Sequence, residues 1–176
     1  MSYTTTPADT AAPLPGFQVV VSDKADCGGV AYAQSSGMRV LRYPAARDDP
    51  GSGLSAAQLV DALREEGIHL VLLAGYLKLV PAELCRAFPR AMLNIHPALL
   101  PAFGGKGMYG HKVHAAVIAS GARFSGPTVH FVDEEYDRGK IVAQRCVPVL
   151  PDDSPDTLAH RVLEQARAEA LHTLQP

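Results

Sequence analysis

The chain has 176 residues, 47% of them hydrophobic and 19% charged, and 16 Lys+Arg against 18 Asp+Glu leave a net charge of −2. This length suits one hydrophobic core, and the apolar content excludes a disordered chain. The near-neutral balance argues against a broad basic surface for nucleic acid or membrane. Cys27, Cys85 and Cys146 are scattered and form no Cys-x-x-Cys pair, which disfavours a disulfide framework or a cysteine zinc site and fits a reducing compartment. No apolar run approaches a membrane span. Residues 1–16 carry no Lys or Arg and no continuous apolar stretch, so they are expected to form a disordered leader rather than a secretory signal.

From residue 17 onward strands and helices are expected to alternate. Residues 17–21 (FQVVV) form a short β-branched run, a candidate buried strand. Residues 26–36 read as a helix stopped by Gly37, and residues 38–43 (MRVLRY) alternate like a second strand. Residues 47–53 are a polar turn. Ser55 is placed to cap a helix that puts Leu59, Val60 and Leu63 on one face and ends near Gly67. Residues 69–74 (HLVLLA) are continuously apolar, as in a parallel strand covered on both faces. A short helix over 81–88, a strand over 91–95, a Gly-rich loop over 104–110 and a helix over 111–120 follow. Residues 127–132 and 140–149 read as later strands, and Pro155 opens a terminal helix. The pattern predicts an α/β layered fold with a mostly parallel sheet, with residues 17–176 as one domain. Ligands of such sheets lie beyond the carboxyl ends of strands.

The segment 93–97 (LNIHP) leaves a predicted strand into a proline-bracketed loop. Residues i and i+2 of a strand share a side, so Asn94 and His96 face one space. An Asn amide can donate to a developing oxyanion, and a histidine can move a proton near neutral pH. Taken alone, Asn-x-His more often satisfies turn backbone. The run 103–107 (FGGKG) fails as a phosphate loop, because Gly107 stands where Ser or Thr is required and Leu100 where the first Gly should be. A second cluster, Asp133, Glu134, Glu135, Tyr136 and Asp137 ahead of Arg138-Gly139, reads either as a solvated turn or as the source of a carboxylate that orients His96. Asp137 is the choice for that role. His111 and His114 have helical i,i+3 spacing, but without a third ligand a metal is not expected. His130 shares a strand face with Thr128 and Val132 and reads as a structural histidine.

These segments together resemble the phosphoribosylglycinamide formyltransferases, folate-dependent enzymes of purine biosynthesis. The resemblance rests on residues 72–81 (LLAGYLKLVP), 92–103 (MLNIHPALLPAF), 126–139 (GPTVHFVDEEYDRG) and 141–151 (IVAQRCVPVLP), and extends in order from about 17 to 165. The loop GGKGMYGHKVHAAVIASGARFSGPTVHFVDEEY looks like versions from plants and some bacteria. The resemblance implies a doubly wound, Rossmann-type formyltransferase fold, with Asn94, His96 and Asp137 as the catalytic trio. It also implies a folate pocket from Leu77, Lys78, Leu79, Val80 and Asn94, closed by the turn Asp133, Glu134, Glu135, Tyr136 and Asp137. The implied substrates are 10-formyltetrahydrofolate, a carrier co-substrate rather than a tightly bound cofactor, and phosphoribosylglycinamide. No metal, nucleic acid or membrane partner is implied.

Two departures accompany the resemblance. Family members usually begin with a strand, a Gly/Ser/Asn phosphate-gripping loop and a helix, and residues 1–16 hold no equivalent. The family's Glu-His pair after the segment 161–165 is replaced by Ala166-Arg167. The folate half is therefore expected intact and the phosphoribosyl half altered, in a chain of low stability when expressed alone. Formyl transfer to another acceptor or to water, or folate binding without turnover, are the alternatives. Cytoplasm, or alternatively plastid stroma, is the expected compartment.

Overall fold

The computed structural model describes residues 18–46 and 48–173, so the expected leader over 1–16 lies outside the described residues. The chain divides into two compact units between His69 and Leu70. In the first, β1 (Val19–Ser22) and β2 (Arg39–Arg42) pair in parallel, joined by α1 (Gly28–Ser35), which buries Val30 and Ala33. Helix α2 (Ala56–Glu65) starts where Ser55 predicts. Ser55 Oγ accepts from the Gln58 amide at 3.2 Å, and Gln58 Oε1 accepts from the Ser55 amide at 2.8 Å. This reciprocal cap satisfies two backbone donors that the helix itself cannot. Leu59, Val60 and Leu63 form its buried stripe.

The second unit is built on a four-stranded sheet in the order β3 (Val71–Leu73), β4 (Met92–His96), β6 (Thr128–Phe131), β7 (Ile141–Gln144). The α/β expectation holds, and one detail of it is corrected: the sheet is mixed rather than mostly parallel. β3 and β4 run in parallel, whereas β4–β6 and β6–β7 are antiparallel. For β6–β7 the reason is connectivity. The nine-residue turn between β6 and β7 is too short for a crossover and makes a hairpin. Residues 69–74, expected to be covered on both faces, form only the three-residue β3, half-buried throughout, because β3 is an edge of this sheet among the described residues.

The single strand expected over 140–149 is also two strands. β7 ends at Gln144, and β8 (Val147–Pro148) pairs instead with β5 (Phe124–Ser125), which the sequence reading did not anticipate. The switch occurs where Gly126 meets Arg145: a Cβ on Gly126 would lie 1.7 Å from the Arg145 carbonyl oxygen. Short helix α3 (Ala82–Ala87) follows Pro81, and α4 (His111–Ala119) packs against α5 (Pro155–Thr173). Ala98, Val113, Val117, Val147, Val149, Leu158 and Val162 form the core between them. Ala98 belongs to the loop leaving β4, so this core anchors that loop.

Candidate active site

β4 and β6 lie side by side with Asn94 opposite His130 and His96 opposite Thr128. Cross-strand partners project to the same face, so this register places two histidines, an amide and a hydroxyl together. Asn94 Nδ2 lies 3.1 Å from His130 Nε2. His130 Nδ1 is 2.9 Å from the Phe131 carbonyl, which can only accept, so Nδ1 carries the proton and Nε2 accepts from Asn94 in the neutral ring. One N–H of the Asn94 amide is thereby used, and the second is left to donate elsewhere.

His96 is buried, and its Nε2–H donates to the Phe103 carbonyl at 2.9 Å. The proton-accepting nitrogen of the neutral ring is therefore Nδ1, which faces Asp137 Oδ2 at 3.4 Å. The other carboxylate oxygen, Asp137 Oδ1, stands 3.6 Å from His130 Nε2. Asp137 thus stands between the two histidines. Its own position is set by the β6–β7 turn, where Asp137 has φ 54°, a left-handed conformation that Asp tolerates better than most residues. The turn closes tightly because Gly139 has no side chain: a Cβ there would sit 1.7 Å from the Phe131 carbonyl oxygen. The Gly-rich loop is tied to the same carboxylate by the Gly105 amide, which donates to Asp137 Oδ2 at 2.8 Å.

Burial is the largest influence on His96 and pushes its pKa below the ordinary histidine value, with His130 acting in the same direction. The Asp137 charge and the Phe103 hydrogen bond oppose that shift without reversing it. His96 therefore rests as neutral imidazole at neutral pH, beside a carboxylate that stabilises it once a proton arrives.

The sequence-predicted trio Asn94, His96 and Asp137 is brought together. His130, read from sequence as structural, stands in the same cluster. The only sequence signal for it was its position on a strand beside Thr128; the register that puts it opposite Asn94 is a tertiary property. The candidate folate residues occupy two places. Leu77, Lys78, Leu79 and Val80 follow β3, whose carboxyl end lies at the same edge of the sheet as that of β4, the strand that carries His96. Leu77 and Leu79 are exposed, whereas Val80 is buried. Asp133, Glu134 and Glu135 are exposed and Tyr136 half-buried on the β6–β7 turn, where Arg86 of α3 pairs with Glu134 at 3.0 Å. His111 and His114 separate: His111 is exposed near Asp156, and His114 is buried. Among the described residues, no group of three or more His, Cys, Asp or Glu is placed to hold a metal.

A family model described as formyl transferase matches residues 16–174, spanning both units. The chain belongs to the formyl transferase family. Over 147 residues it is 60% identical to the chloroplastic phosphoribosylglycinamide formyltransferase of Arabidopsis thaliana, covering 84% of this chain and 50% of that one. The corresponding protein of Vigna unguiculata is 62% identical, with 84% and 47% covered. The chain spans about half the length of these curated relatives. Among solved structures, the phosphoribosylglycinamide formyltransferase of Brucella melitensis matches with a TM-score of 0.73 at 35% identity, covering 90% of this chain and 81% of that one. In this formyl transferase chain, the four polar residues gathered by the β4–β6 register lie on strands of one unit and Asp137 on a turn of the same unit, and no helix of the described residues is long and apolar enough to cross a membrane.

Proposed function

We propose that the chain transfers the formyl group of 10-formyltetrahydrofolate to the amine of phosphoribosylglycinamide. The observation that carries this reading is the Asp137 carboxylate set between His96 and His130, with the Asn94 amide alongside. The relatives' names supply the acceptor and the formyl group, and the resemblance drawn from the sequence supplies the folate donor.

The acceptor amine attacks the formyl carbon, its lone pair forming the C–N bond while the C=O pair moves onto oxygen. The free N–H of Asn94 donates to that oxygen. The attacking nitrogen loses a proton to His96 Nδ1, the nitrogen left unprotonated by the Nε2–Phe103 bond. The imidazolium thus forms during the reaction and is stabilised by Asp137. Collapse restores the C=O, breaks the bond to the folate nitrogen and returns the proton to that leaving nitrogen. Folate is the carrier, and the protein supplies orientation and electrostatics. The names of the plant relatives favour plastid stroma over cytoplasm as the compartment.

The test is a formyl-transfer assay on the purified chain with both substrates, with His96→Ala as its control. Transfer that falls by about 10²–10⁴ in the variant supports the reading. Donor deformylation that ignores the amine would place water as acceptor, and transfer unchanged in a folded His96→Ala protein would remove His96 from the chemistry.

A further inference from the structure

His96, Thr128 and Gln144 form one row across β4, β6 and β7, each opposite the next in register. Thr128 is fully buried and every bonding site of its hydroxyl is used. Oγ1 donates to the Ala98 carbonyl at 2.6 Å, accepts from the Leu100 amide at 3.0 Å, and accepts from Gln144 Nε2 at 2.9 Å. One donor and two acceptor sites are all that a hydroxyl has. The same Gln144 nitrogen donates to the Leu100 carbonyl at 2.9 Å. Three of these four hydrogen bonds end on residues 98–100, the stretch between His96 and the Phe103 carbonyl that its Nε2–H meets, and the fourth ties Gln144 to Thr128.

We propose that Gln144 is a positioning residue for the formyl transfer set out above: it holds the loop after β4 so that the Phe103 carbonyl keeps the His96 proton on Nε2 and leaves Nδ1 free as the base. The distances make the case. Without the carbonyl at 2.9 Å, the carboxylate of Asp137 at 3.4 Å is the strongest remaining acceptor, and it faces Nδ1. The neutral ring then moves its proton to Nδ1, where it is useless for accepting one from an amine. Gln144 lies on the edge strand and is itself exposed, with only its amide turned inward onto Leu100 and Thr128. Its identity is not dictated by packing. It acts by supplying two N–H donors to two acceptors, a task that no apolar or purely accepting side chain performs.

The test uses the full chain with ¹⁵N-labelled imidazoles, the His96 signals being assigned by their loss in His96→Gln. The parent should show the Nε2–H form of His96. Gln144→Leu keeps the length and removes both donors, and should populate the Nδ1–H form and lower kcat about tenfold, with the donor KM within about twofold, as expected for misalignment of a reacting group. Gln144→Lys restores donors at that reach and should recover the parent tautomer. If the Leu variant does not fold, the isosteric Gln144→Glu decides, since its carboxylate accepts only; it should show the Nδ1–H form at pH 8. The groups facing His96 from other elements, Asp137, His130 and His114, are unchanged in all variants. A folded Leu or Glu variant with the parent tautomer overturns the proposal. Because the tautomer is read without substrates, this outcome is separate from failure of the formyl-transfer reading, which the His96→Ala assay reports.

Discussion

Asn94 and His130, 36 positions apart in the chain, join through a 3.1 Å hydrogen bond across β4 and β6. The bond fixes which way the Asn94 amide points and so where its second N–H is aimed. It also brings a second histidine against the carboxylate that serves the first. His130→Ala should therefore release the amide and lower kcat by about 10²-fold, comparable to losing an oxyanion donor. It should also raise the apparent pKa of the His96 step, since His130 helps depress it. Steady-state rates across pH check both; an unchanged kcat would make His130 purely structural.

Asp137→Asn separates charge from shape. Asparagine tolerates the left-handed backbone at this position and keeps an oxygen to accept from the Gly105 amide, so the loop should stay in place. What disappears is the negative charge that raises the His96 pKa. The variant should remain as stable as the parent, react more slowly, and show the His96 step at lower pH. A pH–rate profile identical to the parent's would contradict the assignment.

His114 gives a stability prediction. It is buried on α4, its Nδ1 has no hydrogen-bond partner, and burial together with His111 and His96 holds its pKa down to about 4. An unfolded chain binds the proton with a pKa of about 6.5, so between those values the unfolded state carries more protons and stability falls as pH drops. The loss should begin below about pH 6.5 and level off near pH 4. Urea midpoints of the parent should fall across this window, and those of His114→Phe should fall less. Parallel slopes for the two proteins would rule out His114 as the source.

Asp153 and Arg161 clamp the start of α5. The guanidinium contacts both carboxylate oxygens, at 2.7 and 2.9 Å, and also donates to the Pro148 carbonyl. Arg161 holds the Asp153 carboxyl well below the usual carboxylate range. Asp153→Asn should cost about 2 kcal/mol, the scale of a hydrogen bond to a charged group, read as a lower urea midpoint with unchanged slope. The proposed catalytic cluster lies elsewhere in this unit, so kcat at low temperature should be unaffected. A midpoint equal to the parent's would show that the clamp contributes nothing.

The sequence by itself determined most of the elements and half of the site. Ser55, three residues ahead of Gln58, specified the start of α2, because capping is a local exchange of hydrogen bonds. The i,i+2 spacing of Asn94 and His96 specified that they share a face, because strand geometry alternates without reference to anything else. Asp137 was legible as a turn residue poised near His96 through its place ahead of Arg138-Gly139. Tertiary structure decided the rest. The antiparallel register of β4, β6 and β7 chose His130 as the partner of Asn94 and placed Gln144 in the row of His96, and no local rule states which residues of distant strands will face each other. The break between β7 and β8 likewise came from the close approach of Gly126 to Arg145, whereas the apolar pattern of 140–149 reads as one strand. The proton on His96 was settled the same way, by a carbonyl seven residues further on that the loop folds back to present. Local chemistry is written in neighbouring residues; pairing and protonation depend on what folding carries in from elsewhere in the chain.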